Sequence, residues 1–197
     1  LVDTVNLMTD IQEWMVEYVV EHGQEELEYV GSATGETQVL SVAEDIRKKL
    51  DIQVDWYSDR QNAGESFRFL KRRMGNIHVL VMTSGIVGNN TRRKLNVEEF
   101  RAFTLVNKYA PLIFINSCDS DNGKLFSILH ELAHVWTGEN SFYNAPIDAD
   151  SESREVEKFC NAVAAEILVP TESFLEKWKS SYDEILDKIG KIAKSFR

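Results

Sequence analysis

The sequence has few of the features that mark secreted or membrane proteins. Its two cysteines, Cys118 and Cys160, are too few for a disulfide framework, and their separation does not suggest a zinc pair. The longest apolar runs, at 77–82 and 112–115, are far too short to span a bilayer. No charged segment followed by an apolar one opens the chain, so nothing indicates secretion. We therefore predict a cytoplasmic protein that does not enter a membrane.

Positive charge is also scarce. The chain has 22 Lys and Arg against 32 Asp and Glu, which gives a net charge of −10. Because nucleic-acid binding requires basic groups that neutralise phosphates, this balance argues against direct nucleic-acid binding by this chain. Two local basic clusters, at 71–73 and 92–94, are explained by a solvated helix end and a loop. Histidine is rare as well, with four in the chain, so the position of each one is informative.

Two of the four histidines stand in one short motif, because residues 130–134 read His-Glu-Leu-Ala-His, a complete H-E-x-x-H. Helical residues four apart point only about 40° from each other, so His130 and His134 can bind one metal ion. Glu131 lies about 100° from His130 and leans toward the open side of that ion, where it can accept a proton from water. The motif predicts a metal site with a catalytic base. The alternative is two core histidines beside a surface glutamate.

A catalytic zinc ion uses three protein ligands and leaves one position open. The helix predicted over 151–169 becomes apolar in its later half, and Glu157 is its best candidate for the third ligand. A carboxylate that faces a core is costly unless it is paired or binds a metal, whereas the alternative for Glu157 is a solvated charge. Asn161, one turn further on, is predicted to hold a ligand by hydrogen bonding. Glu152 and Glu155 are weaker ligand candidates, because Glu152 lies near the start of the helix and Glu155 points away from the face that carries Glu157.

These residues together predict metal-assisted hydrolysis with one zinc ion per chain. His130, His134 and Glu157 would hold the zinc, and Glu131 would act as general base toward water and then protonate a leaving amine. Tyr143, in the loop after the motif, is a candidate oxyanion partner, although a packing or surface tyrosine is the simpler interpretation.

The rest of the chain predicts an α+β fold with a small three-stranded mixed or antiparallel sheet packed on helices. Strands are predicted at 77–82, 101–106 and 112–116, and helices at 10–22, 41–50, 59–74 or 62–74, 124–137, 151–169, 171–178 and 181–197. The predicted N-terminal caps of the first three helices are Thr9 or Asp10, a capping box of Ser41 and Glu44, and Asp59 or Asn62. In the second helix, the predicted inward residues are Val42, Ala43, Ile46 and Leu50. In the first helix, the apolar residues with helical spacing are Ile11, Trp14, Met15, Tyr18 and Val19. The polar stretch 24–37 is predicted to be a linker. We therefore divide the chain into an N-terminal helical extension or linker at 1–37 and a second domain at 38–197.

The motifs, taken in order, resemble those of the ImmA/IrrE-type metallopeptidases of bacteria, phages and integrative elements. The resemblance covers about 75–170, roughly half of the chain. It is carried by F-R-A-F at 100–103, A-P-L-I-F-I-N-S at 110–117, F-x-x-x-H-E-L-A-H at 126–134 and E-x-x-x-N-x-x-A-A-E-I-L-V-P at 157–170. The chain departs from the family at Ala102, where Gly is usual, and at Phe159, Cys160 and Val163, where Glu, Ala and Phe are usual. These departures alter packing and leave the presumed ligands intact.

The resemblance implies a zincin-like metallopeptidase domain at 38–197, with zinc on His130, His134 and Glu157. It also implies regulated proteolysis of a repressor or transcription factor that is often encoded nearby. Such domains commonly follow a helix-turn-helix domain, and the segment 11–14 resembles the connection between the two, so we expect a DNA-binding part upstream of this chain. The alternative function is a regulatory or sensing module that binds a partner protein or ligand without efficient proteolysis. The intact Glu131 favours the enzyme, because a purely structural site needs no base.

Overall fold

A computed structural model of the chain describes residues 1–34, 37–88, 90–142, 151–180 and 185–196. The helices are α1 (Val2–Glu21), α2 (Val39–Leu50), α3 (Ala63–Asn76), α4 (Asp121–Thr137), α5 (Ser151–Leu168), α6 (Thr171–Ser180) and α7 (Ile185–Lys194). The strands are β1 (Leu80–Ser84), β2 (Ile86–Val87), β3 (Asn90–Lys94), β4 (Ala102–Leu105), β5 (Leu112–Asn116) and β6 (Ser141–Phe142). The α+β class predicted from the sequence is confirmed. None of the described helices is long and apolar enough to cross a membrane.

The main sheet has the strand order β1-β5-β4-β6. β1 runs parallel to β5, whereas β4 runs antiparallel to both β5 and β6, so the sheet is mixed, as predicted. β1 begins three residues later than the predicted segment, because the chain leaves α3 through a turn in which His78 adopts a left-handed φ of 66°. The predicted place of His78 in the strand was therefore wrong.

Three of the strands carry little sequence signal. β2 and β3 form an antiparallel hairpin whose second strand reads Asn-Thr-Arg-Arg-Lys and is exposed along its whole length. No apolar alternation marks such a strand, which is why this segment was expected to be a turn and a loop. β6 has only two residues and pairs Ser141 with Thr104 and Phe142 with Phe103. This short strand brings the chain after α4 back to the edge of the sheet.

The two faces of the sheet bury different side chains. Ala102, Ile113 and Ile115 face a large core shared with α2, α3, α4 and α5. Phe103 and Phe114 face the opposite way, into a smaller core that also receives Met8 of α1. Because successive strand residues point to opposite faces, β4 and β5 divide their apolar side chains between the two cores. The layer with α4 therefore lies on one face of the sheet and α1 lies on the other.

The packing of α1 differs from the prediction. The helix begins at Val2, well before the predicted cap at residues 9–10, and it buries Thr4, Met8 and Gln12. The Gln12 amide nitrogen Nε2 donates hydrogen bonds to the backbone oxygens of Leu105 and Ala110, at 2.7 and 2.8 Å. The expectation from apolar spacing was wrong for the aromatic residues, since Trp14 is 60% exposed and Tyr18 is 47% exposed.

The helices under the other face follow their sequence patterns more closely. In α2 the predicted inward residues, Val42, Ala43, Ile46 and Leu50, are all buried. The helix begins before the predicted capping box, at Val39, and its N-cap makes no side-chain hydrogen bond. Asn62 caps α3 as predicted, because its side chain accepts a hydrogen bond from the backbone N–H of Glu65.

The stretch predicted to be a linker contributes to the core in its described part. Tyr29 and Val30 are buried, the Tyr29 hydroxyl donates to the backbone oxygen of Ile77 at 2.6 Å, and the Tyr29 ring stacks on Trp136. These contacts connect the predicted linker with the residue just after α3 and with α4. The division of the chain at residue 37 stays a prediction.

Candidate active site

The site is built on α4, whose two ends are set by local sequence. The Ser120 hydroxyl accepts a hydrogen bond from the backbone N–H of Gly123 and caps the first turn. Gly138 ends the helix with a left-handed φ of 77°. Its α-carbon also lies against Gly31, where a Cβ would stand 2.9 Å from the Gly31 Cα, so only glycine fits there. The predicted end of the helix at Gly138 is confirmed.

The middle of α4 is enclosed on every side. The helix packs on α3, α5, β4 and β5, and every residue from 127 to 136 is buried. The Trp136 indole N–H donates to the carboxylate of Asp45 on α2 at 2.7 Å, which fixes the last turn. The His130 ring is stacked against Phe126, one turn earlier, with 6.1 Å between ring centroids. The imidazoles are therefore held in place by packing.

The structure brings the three predicted metal ligands together. The Nε2 atoms of His130 and His134 are 3.2 Å apart, as their positions four residues apart on one helix require. Glu157 of α5 reaches both rings, with Oε2 at 3.3 Å from His130 Nε2 and Oε1 at 3.4 Å from His134 Nε2. No other group of three or more His, Cys, Asp or Glu side chains within the described ranges is close enough to hold a metal ion.

These separations fit a small tetrahedral ion. Zn–N bonds are about 2.0–2.1 Å long, which places the ligand atoms of a tetrahedral site about 3.3–3.4 Å apart along each edge. The three distances, 3.2, 3.3 and 3.4 Å, match that edge length. Two imidazole nitrogens and one carboxylate oxygen also form a ligand set that suits zinc and other transition metals better than magnesium or calcium. The residues present therefore fit a bound metal ion.

Glu157 reaches the histidines because α5 is anchored along its opposite end. Its later half buries Cys160, Val163, Ala164 and Ile167 in the core shared with α4. Arg47 of α2 lies 3.7 Å from the buried carboxylate of Glu166, which joins α5 to a second helix. The site end of α5 is more open, and the Glu157 side chain keeps 27% of its surface exposed.

The charge state of Glu157 suits a ligand. Burial raises the pKa of this carboxyl group, but the hydrogen bonds from His130 and His134 outweigh that effect and lower the pKa to about 2. Glu157 is thus a carboxylate at any ordinary pH, and a positive ion between the two rings would favour the same charged form.

Glu131 occupies a different environment, although it is the next residue after His130. Its side chain is fully buried, and burial raises its pKa above the ordinary value for a carboxyl group. The charges of His130 and His134 oppose that rise, as does the hydrogen bond from the Thr104 hydroxyl. A carboxyl group with a raised pKa holds a proton more readily than an ordinary one, which suits a group that accepts a proton and then releases it.

The contact between Thr104 and Glu131 was not foreseen from the sequence. The Thr104 hydroxyl oxygen lies 2.6 Å from Oε2 of Glu131 and 3.0 Å from the Glu131 backbone oxygen. Thr104 is fully buried in β4, and its strand partner Ser141 is buried as well. A threonine in a strand is typical of any β-sheet, so nothing in the sequence marked it as part of the site.

Two further site residues were predicted from the sequence. Asn161 follows Glu157 by one turn of α5 and is half-buried, but within the described ranges it forms no hydrogen bond with Glu157 or with either histidine. Its predicted role in holding a ligand stays a prediction. Tyr143, the candidate oxyanion partner, lies outside the described residues.

Comparison with known proteins agrees with this architecture. A search of curated proteins gives no match for this chain. Residues 78–197, more than half of the chain, match the peptidase M78 family, described as the IrrE N-terminal-like domain. The match covers β1, the rest of the main sheet and both helices that carry the candidate ligands. The resemblance to ImmA/IrrE-type peptidases is thereby confirmed, and the chain belongs to the peptidase M78 family.

Proposed function

We propose that the protein is a zinc-dependent endopeptidase that cleaves one or a few specific proteins. The observation that carries this proposal is the meeting of His130, His134 and Glu157 at 3.2–3.4 Å beside the buried carboxyl group of Glu131. Three ligands leave the fourth tetrahedral position open, which distinguishes catalytic zinc sites from structural ones. Membership of a peptidase family supports a peptide bond as the bond that is broken.

The residues have separate tasks in this reaction. A zinc ion in this site would supply a Lewis acid that makes water more acidic and polarises a substrate carbonyl group. His130, His134 and Glu157 hold the ion and fix its position. Glu131 accepts a proton from the attacking water as its oxygen forms a bond to the carbonyl carbon. It then donates that proton to the nitrogen of the leaving amine, and the peptide C–N bond breaks.

The two carboxylate oxygens of Glu131 are not equivalent. Oε2 accepts the hydrogen bond from Thr104, whereas Oε1 accepts none within the described part of the chain. We assign the proton transfer to Oε1. The hydroxyl of Thr104 then fixes the orientation of the carboxyl plane, because it also lies within hydrogen-bond distance of the Glu131 backbone.

The resemblance of the motifs supports a repressor or another transcriptional regulator as the substrate. The net charge of −10 supports action on a protein and not direct binding to DNA by this chain. Glu157 is the most exposed of the three candidate ligands, so a substrate would approach the site from the α5 side.

The test begins with metal analysis of the purified chain. We expect about one zinc ion per chain in the wild type and in a Glu131→Gln variant, because glutamine leaves the three ligands intact. Both proteins are then incubated with repressors and regulators that are encoded near the gene. The wild type should cleave one of them at a single site and the variant should not.

Each other result has a defined meaning. Cleavage that persists in Glu131→Gln contradicts the mechanism. A wild type without bound metal contradicts the zinc site. Tight binding of a regulator without cleavage by the zinc-loaded wild type favours the sensing module as the function.

A further inference from the structure

The exposed side of α1 carries an apolar surface that the described residues do not cover. We call it the α1 stripe and define it as Leu7, Ile11, Trp14 and Tyr18. Leu7, Trp14 and Tyr18 are 41%, 60% and 47% exposed, and Ile11 is half-buried at the edge of the smaller core. The rings of Trp14 and Tyr18 stack at 5.7 Å and form a continuous aromatic surface along the helix. Large exposed apolar surfaces of this kind mark interaction sites in soluble proteins.

The stripe has the spacing of a helix–helix interface. Its members are separated by four, three and four residues, which is the heptad repeat of an a/d seam. Side chains at this spacing lie in one row along a helix and interdigitate with a second helix laid against them. An extended peptide or a flat surface has no such match to the repeat.

Rotation of α1 cannot bury the stripe within the chain. The neighbouring face of the helix, about 100° around its axis, is fixed by Met8, which is buried in the smaller core, and by Gln12, whose amide satisfies two backbone oxygens. Turning the aromatic residues inward would leave those two buried carbonyl groups without a donor, which is costly. The exposure of the stripe is therefore a stable property of this fold.

Charge along one edge of the stripe limits the kind of partner. At 100° per residue, Asp3, Asp10 and Glu17 form a row that is parallel to the stripe, seven residues apart. Asp3 contacts Arg93 at 3.0 Å. Asp10 lies four residues before Trp14 and Glu17 three residues after it, so both lie beside the aromatic pair. The helix contains five acidic residues, Asp3, Asp10, Glu13, Glu17 and Glu21, and no lysine or arginine. Charged rows beside an apolar seam select a partner of opposite charge.

We propose that the α1 stripe binds an amphipathic helix from another polypeptide, whose apolar face is bordered by lysine or arginine. Pairing of α1 with a second copy of itself would add five more acidic residues and no basic one, so like charges would oppose that contact. An anionic membrane surface is disfavoured for the same reason. A basic partner helix covers the aromatic residues and pairs its charges with the acidic row.

The test uses a defined probe. A fluorescently labelled peptide of the same length as α1 is synthesised with leucines at the heptad spacing and lysines beside them. A matched peptide carries glutamate in place of every lysine. Fluorescence anisotropy at physiological salt should show binding of the lysine peptide to the full chain and none of the glutamate peptide.

Two variants separate docking on the stripe from attraction to a negatively charged protein. The double variant Trp14→Ala/Tyr18→Ala keeps all charges and should weaken binding at least about tenfold, because aromatic anchors dominate such interfaces. Glu17→Lys should weaken binding about threefold to tenfold, with a smaller effect at high salt. Leu175→Ala, an exposed apolar residue of α6, is the matched control and should leave binding unchanged.

Several outcomes would overturn the proposal. Unchanged affinity in Trp14→Ala/Tyr18→Ala would show that charge alone attracts the peptide. Equal binding of the two peptides would refute the role of the acidic row. Self-association of the chain that is lost in the double variant would assign the stripe to a second copy. Binding to vesicles of phosphatidylcholine and phosphatidylserine that is lost in the double variant would assign it to a membrane.

Discussion

Two helices of similar length, α1 with 20 residues and α4 with 17, use their apolar residues in opposite ways. α4 is enclosed by two helices and two strands, and even its polar motif residues are buried. α1 touches the sheet along one narrow face and turns its aromatic residues outward. A helical period in the sequence thus identifies a helix in both cases, but it does not tell which face the fold will cover.

The hydrogen bonds of buried polar groups explain why the two helices differ. In α4 the buried polar groups meet within the site, where His130, His134 and Glu157 contact one another and Oε2 of Glu131 contacts Thr104. In α1 the deciding group is Gln12, because its amide is the donor for two backbone oxygens, one on Leu105 at the end of β4 and one on Ala110 in the loop that follows. Buried carbonyl groups need donors, so hydrogen bonding overrode the hydrophobic pattern in α1.

The largest expected effect follows from removing a metal ligand of α4. His134→Ala should abolish zinc binding and cleavage, because two ligands hold a metal much more weakly than three. Metal analysis measures the zinc directly. A chelator should lower the melting temperature of the wild type and leave that of the variant unchanged, since a ligand stabilises only the fold that binds it. His22→Ala, an exposed histidine just after α1, is the matched control and should keep the zinc. Equal zinc in His134→Ala and wild type would refute the ligand assignment.

The next effect concerns the base. Glu131→Gln should keep the zinc and lower the cleavage rate by about 10²–10⁴-fold, the usual contribution of general acid–base catalysis. Glu13→Gln makes the same chemical change on the exposed side of α1 and should leave the rate unchanged. An equal loss of activity in both variants would contradict the role of Glu131 as the base, because it would indicate a general effect of lost charge.

A smaller effect on kcat is expected for Thr104 of β4, whose hydroxyl orients the carboxyl group of Glu131. Thr104→Val removes the hydroxyl and keeps the shape, and it should lower kcat by roughly tenfold to a hundredfold, since hydrogen bonds to charged groups contribute about 1.5–3 kcal/mol. The KM and the zinc content should stay the same, because Thr104 contacts Glu131 and none of the three candidate ligands. Thr104→Ser restores the hydroxyl and should recover most of kcat. A serine variant as slow as the valine variant would assign the loss to packing.

The sequence revealed those parts of the protein that depend on local spacing. The two histidines and Glu131 follow from the five residues 130–134 of a helix, and the end of α4 follows from Gly138. Its start at Asp121 lies three residues before the predicted one. Glu157 could be selected because a carboxylate in an increasingly apolar helix needs a partner. Thr104 could not, since its contact with Glu131 depends on how β4 lies across α4. The hairpin of β2 and β3 was missed for a related reason, because β2 has only two residues and β3 is polar and exposed, so neither strand carries an apolar alternation.

The smallest expected effects lie within α1 and distinguish its two faces. Gln12→Ala should lower the free energy of unfolding by about 1–3 kcal/mol, because the backbone oxygens of Leu105 and Ala110 lose a buried donor. Trp14→Ala should change it by less than about 0.5 kcal/mol, since an exposed side chain without a special role contributes little. Chemical denaturation measures both values. A large loss of stability in Trp14→Ala would mean that the aromatic stripe supports the fold. A small one leaves contact with a partner as the reason why a tryptophan and a tyrosine stand exposed on this helix.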